Sequence, residues 1–149
     1  MDDARRRHAG APREQEAAAW YEGLAAGGRL PDRREVNPAD IRDLLHGVFL
    51  VVPAGDGEIR YRMVAAGIES RVGARLQGRT AGEIYSPELA TGVRGIYNRV
   101  FETRRRVVLR GSFVTFDIGF LEFEALILPL RAPDGTMMAL GSMYAFDNI

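Results

Sequence analysis

Leu121-Glu122-Phe123-Glu124-Ala125-Leu126-Ile127-Leu128-Pro129-Leu130 is the stretch that decides the fold. It reads as a strand that is apolar on both parities. Phe123, Ala125 and Ile127 share one face, and Leu126, Leu128 and Leu130 share the other with Glu122 and Glu124. An antiparallel strand that is apolar on both sides needs cover on both faces of its sheet. The rest of the chain supplies its neighbours and its covers.

Downstream, Pro133-Asp134-Gly135 is hairpin-turn chemistry leading into a strand over Met137 to Phe146. Upstream, an Asp117-Ile118-Gly119 turn joins it to a strand over Val107 to Phe116. Before that, Ser86-Pro87-Glu88 opens the longest helix, whose stripe is Leu89, Val93, Ile96, Tyr97 and Val100. Thr80-Ala81-Gly82-Glu83 has capping-box spacing for a single turn, and Gly67 precedes a short helix carrying Ile68 and Val72. A further strand pair, Val48 to Pro53 and Ile59 to Ala65, flanks the turn Ala54-Gly55-Asp56-Gly57. Strict alternation puts Tyr61 and Met63 on one face and Arg60 and Arg62 on the other. Asn37-Pro38-Ala39-Asp40 starts a helix that buries Ile41, Leu44 and Leu45 and stops at Gly47. The order is helix, two strands, short helices, one long helix, three strands.

The N-terminal segment divides in two. Met1 to Pro12 is polar and Arg-rich and is expected to be a disordered tail. Residues 13–149 are expected to form a single domain that includes a helix over 13–27. Ala17, Trp20, Tyr21 and Leu24 make one apolar stripe on that helix, and Gly27-Gly28 ends it. Leu30-Pro31 then begins an extended link. The stripe is the natural cover for the second face of the sheet, whether it comes from the same chain or from a partner. A homodimer with Ala17, Trp20, Tyr21 and Leu24 in its interface is therefore expected.

Composition excludes several classes. Formal net charge is zero, which gives no bulk attraction to nucleic acid or an anionic membrane. All 20 basic residues are arginine. With no cysteine there is no disulfide framework, thiol nucleophile or thiolate metal site. The N-terminus lacks an apolar signal-peptide core, and the longest apolar runs are too short to span a bilayer. A cytoplasmic protein is expected.

These residues, taken in order, resemble the PAS-like proteins, specifically the stand-alone single-domain type common in alphaproteobacteria. The shared wording is Trp20 on an N-terminal helix, Gly28-Arg29-Leu30-Pro31, and Asp40-Ile41-Arg42-Asp43-Leu44-Leu45 ahead of the first strand. It continues with Arg60-Tyr61-Arg62-Met63-Val64, Gly67-Ile68, Leu76-Gln77-Gly78-Arg79, and Glu124 to Leu130 before Asp134-Gly135. The likeness covers about Ala17 to Asp147. It implies an α+β fold, a five-stranded antiparallel sheet flanked by helices, and a signalling or regulatory role without catalysis. It names no ligand.

The residues narrow the chemistry further. Flavin photochemistry through a cysteinyl adduct and a thioester-linked chromophore both need the cysteine this chain lacks. Haem needs an axial ligand, and the two histidines, His8 in the tail and His46 at a helix end, make neither a credible haem site nor a metal site. No cofactor is expected; an unidentified small molecule remains the candidate ligand. Glu122 and Glu124 point the same way from one strand. Each reads either as a polar group of a pocket or as a salt-bridge partner of Arg110, Arg106 or Arg79. Tyr61, Met63, Tyr97, Phe113, Met143 and Tyr144 either line a cavity between sheet and helices or fill the core. Arg104-Arg105-Arg106 reads as an anion patch or as a solvated strand edge.

The expected ligand site is Tyr61, Met63, Arg79, Tyr97, Phe113, Glu124 and Tyr144. It would lie between the inner sheet face and the helices at Gly67 to Leu76 and Pro87 to Thr103. Three functions stay open: a sensory or regulatory module binding a small molecule, a protein partner or both; a structural dimeric module with a self-filled core; and a small α+β acid–base enzyme using Glu124.

Overall fold

A computed structural model describes residues 11–45, 47–113 and 118–147. Its elements are α1 (Ala11–Leu24), α2 (Pro38–Leu44), β1 (Val48–Gly55), β2 (Glu58–Val64), α3 (Ala66–Val72), α4 (Ala81–Ile84), α5 (Pro87–Thr103), β3 (Val107–Phe113), β4 (Ile118–Arg131) and β5 (Met137–Asp147). The strands make one sheet in the order β2-β1-β5-β4-β3, antiparallel throughout. This is the expected five-stranded α+β architecture. α1 starts at Ala11, ahead of the expected Arg13, and ends at Leu24, where Ala26–Gly28 adds a 3-10 turn. Of the expected tail, Met1 to Pro12, Ala11 and Pro12 belong to α1 instead, and residues 1–10 lie outside the described residues, as does His46. Of the turn expected at Asp117 to Gly119, Ile118 and Gly119 belong to β4, and Asp117 lies outside the described residues.

Local chemistry sets the helix starts as read. Asn37 Oδ1 accepts from the Ala39 N–H at 2.9 Å with Pro38 in the first turn. Thr80 and Glu83 form a reciprocal capping box, and Ser86 Oγ accepts from the Leu89 N–H. Arg94 of α5 then grips Glu58 of β2 through two nitrogens, at 2.9 and 3.0 Å, which fixes the long helix across the sheet.

The sheet carries a core on each face. On the inner face Val51, Ile59, Tyr61 and Ile127 pack under Ile68, Val72, Tyr97 and Val100 of α3 and α5. On the outer face Leu126, Leu128, Leu130 and Leu140 pack under Ala17 and Tyr21 of α1, with Val36 and Leu45 beside them. The second cover thus comes from the same chain. Ala17 is fully buried, and the Tyr21 hydroxyl donates to the Pro129 carbonyl at 2.6 Å. A dimer contact along α1 would fall to Trp20 and Leu24, which stay half-buried, and not to Ala17 or Tyr21.

Strict alternation fails in β2. Leu50 pairs with Met63, but Val51 pairs with Tyr61, so Arg62 is an extra residue in a β-bulge. Beyond the bulge the side chains change phase. Tyr61 and Val64 are buried inward, whereas Met63 shares the outer face with Leu50 and is exposed.

At the β4–β5 turn Gly135 donates its N–H to the Ala132 carbonyl and takes a φ of 91°. A side chain there meets open space but a strained backbone. Gly135→Val is expected to lower stability by ~1–2 kcal/mol, measured by chemical denaturation. A variant that is as stable as the parent would show that the turn tolerates another conformation.

Candidate functional site

The inner face holds a cluster of tyrosines in an otherwise apolar core. Tyr61 comes from β2, Tyr85 from the C-cap of α4, and Tyr97 from the middle of α5. The Tyr61 and Tyr85 hydroxyls are 2.9 Å apart, and the Tyr97 ring meets Tyr61 edge-on with centroids 6.3 Å apart. Burial, first among the causes, pushes all three hydroxyls above the ordinary tyrosine range. They therefore stay protonated and act as hydrogen-bonding groups, not as bases. Sequence reasoning placed Tyr61 and Tyr97 together correctly but did not single out Tyr85, which sits just past a short helix where no periodicity marks it.

The remaining expected site residues divide between the two faces. Met63 is on the outer face because of the bulge. Arg79 donates to the backbone carbonyls of Arg75 and Glu83, each 2.8 Å or less, and braces the loop after α3. Met143 packs at the edge of the inner core. Phe113 pairs with Ile118 at the end of β3, and its side chain lies outside those described, as does that of Glu122. Glu124 and Tyr144 pair across β4 and β5 on the outer face, away from Tyr61 and Tyr97.

Glu124 has one expected neighbour, an arginine, and one unexpected, a second acid. It is 3% exposed, and its Oε1 accepts from Arg110 Nε at 2.6 Å across the β3–β4 ladder. Of the three arginines named from sequence, Arg110 is the partner. Glu14 of α1, 8% exposed, lies against the same group. Burial, then the hydrogen bond to Glu124, then repulsion by its charge push the Glu14 carboxyl from 4.5 up to about 7, and Arg110 relieves this only in part. Glu14 falls three positions before Ala17 and seven before Tyr21, so it continues the same helix face; an acid in a first helical turn reads most simply as a partner of the helix dipole. Arg106 Nε completes the arrangement by holding Glu22 Oε1 at 2.6 Å. Arg104 and Arg105 beside it are exposed.

These residues line a cleft of 550 Å³ between α1 and the β3–β4 edge, floored by Ala18, Val108 and Leu126. Among the described residues, no group of three or more His, Cys, Asp or Glu could hold a metal ion, and no helix is long and apolar enough to cross a membrane.

No curated protein matches the chain. Among solved structures, a sensory box sensor histidine kinase from Vibrio cholerae aligns with 18% identity and a TM-score of 0.52, covering 72% of this chain and 86% of that one. A domain of an HTR-like protein from Haloarcula marismortui aligns with 13% identity and a TM-score of 0.49, covering 69% and 97% respectively. The PAS-B domain of Cycle from Drosophila melanogaster aligns with 12% identity and a TM-score of 0.47, covering 66% and 99%. The family model described as "PAS domain" matches residues 8–144, from α1 into β5. The chain belongs to the PAS domain family.

Proposed function

We propose that this chain is a cytoplasmic sensory or regulatory module that performs no catalysis. It registers a small molecule in the inner core and reports to a protein partner, a second copy included, at its outer face. The observation that carries this reading is the meeting of the Tyr61 and Tyr85 hydroxyls beside Tyr97, polar groups converging inside an apolar core. Ligand sites are built this way, with apolar walls and a few placed polar tips. Because burial keeps the hydroxyls neutral, they suit a flat, uncharged ligand with its own hydroxyl or carbonyl groups.

Native mass spectrometry of the protein purified from cells reads ligand and oligomeric state together. The expected result is a dimer carrying a small-molecule adduct, with the adduct lost in the Tyr61→Phe/Tyr85→Phe double variant. An adduct-free protein whose melting is unmoved by a panel of small aromatic and fatty compounds would favour the alternative, a dimeric interaction module whose core its own side chains fill. Half-buried Trp20 and Leu24 and exposed Val108 would then be the contact residues.

One observation favours the acid–base enzyme reading: a second acid, Glu14, stands beside Glu124 at an open cleft. It is the weaker reading because Arg110 binds Glu124 Oε1 in place of a substrate and α1 closes over the pair. The two carboxyls are better explained by the way they hold the helix.

A further inference from the structure

We infer that α1 is a proton-held cover: its attachment to the outer face of the sheet depends on one proton shared by the carboxyl groups of Glu14 and Glu124, and loss of that proton loosens the helix. The argument is one of charge in a confined interface. Glu14 reaches down from α1 and Glu124 up from β4, both more than nine-tenths buried and both lining the same cleft. The charged groups of the cleft, among the described residues, are Glu14 and Glu22 of α1, Glu124 of β4, Arg110 of β3 and Arg106 just before it. Tyr144 of β5 stands opposite Glu124. Asp40 of α2 lies on the other side of α1, where it accepts from Trp20 Nε1 at 3.2 Å.

Arg106 is paired with Glu22, and Arg110 with Glu124. Glu14 is then the carboxyl in excess. Protonated, it donates to Glu124, and the cleft is neutral. Ionised, it sets two buried carboxylates against each other, with less water between them to screen the repulsion. Only one of the two acids sits on an element that can move away as a unit. α1 is joined to the sheet through side chains, whereas Glu124 is locked into ladders on both sides.

The direction follows from linkage. A carboxyl whose value is raised on docking binds its proton more tightly in the docked state, so protonation favours attachment. The contribution is fully present below 4.5, declines as pH rises, and is lost once pH passes about 7. Attachment of α1 therefore changes across the neutral range. Release would uncover Leu126, Leu128 and Leu130.

Amide hydrogen exchange of the full chain at pH 5.5 and 7.5, corrected for the intrinsic pH dependence, tests this. Protection in α1 should fall on the order of ten-fold between the two pH values, while β4 amides keep theirs. The emission of Trp20, the one tryptophan, should shift to the red over the same interval. Glu14→Gln, neutral at every pH, should flatten both profiles, and Glu16→Gln, an exposed change on the same helix, should leave them as they are. Should Glu14→Gln fold poorly, Glu124→Gln removes the other half of the pair and should flatten them too. Flat profiles in the wild type, unchanged profiles in Glu14→Gln and Glu124→Gln, or an equal loss of protection in β4 would each overturn the inference.

Discussion

Gly141→Ala is expected to be among the most damaging changes of a single methyl group in this protein. Gly141 lies directly opposite Phe49 in the β5–β1 ladder, and the Phe49 ring folds across it. A Cβ built on Gly141 would clash with three carbons of that ring. Phe49 is itself buried in the inner core, beside Tyr61 with centroids 6.3 Å apart, so it cannot swing to solvent without emptying its place. The cost should approach that of losing a buried phenylalanine, ~3–5 kcal/mol. A double-mutant cycle isolates the clash. In a Phe49→Ala background the same Gly141→Ala change should cost less than ~1 kcal/mol, because the ring is gone. If Gly141→Ala alone melts with the parent, the ring has another place to go and the inner packing is looser than described.

Tyr21→Ala should have an effect of similar size on the opposite face. Tyr21 is 4% exposed, its ring belongs to the outer core, and its hydroxyl, kept protonated by burial, donates to Pro129. Removing ring and hydroxyl together should cost ~3–5 kcal/mol. Tyr21→Phe keeps the ring and strands the Pro129 carbonyl, for ~1–3 kcal/mol. The two variants should also differ in Trp20 emission, red-shifted when α1 leaves the sheet and unchanged when only the hydrogen bond is lost. Denaturation and fluorescence read both effects. A Tyr21→Ala protein with wild-type stability would mean that α1 adds nothing to the outer core.

The elements were legible where their causes are local. Asn37-Pro38, Thr80 to Glu83 and Ser86-Pro87 are caps whose side chains satisfy N–H groups within a few residues, so sequence alone announces them. The alternation of Glu124 to Leu130 in β4 was legible too, since the pairing with β5 runs without a register shift. β2 was misread because a bulge at Arg62 changes phase without any mark in composition. Grouping by chemistry was the other source of error. Glu124 shares its parity with Leu126, which the alternation of β4 already placed opposite Ala125 and Ile127, so it could not join Tyr61 and Tyr97. Its two neighbours come from register and docking: Arg110 through the pairing of β3 with β4, and Glu14 through a helix more than a hundred positions earlier. Arg110 was already one of three candidate partners in the sequence, and register selects it; Glu14 is not visible until the sheet is built.

The seat of α1 also sets a clock. The Tyr21 hydroxyl and the Pro129 carbonyl it binds are 108 positions apart. At ~5–20 residues per second on the ribosome, roughly 5–20 s pass between the emergence of the helix and the emergence of its seat. Asp40, only 20 positions after Trp20, can engage α1 first and hold it against α2 in the meantime. Until β4 and β5 are made, the helix has a companion but nowhere to lie. A nascent chain stalled before Leu126 should therefore expose the α1 stripe to any chaperone that reads short apolar helices.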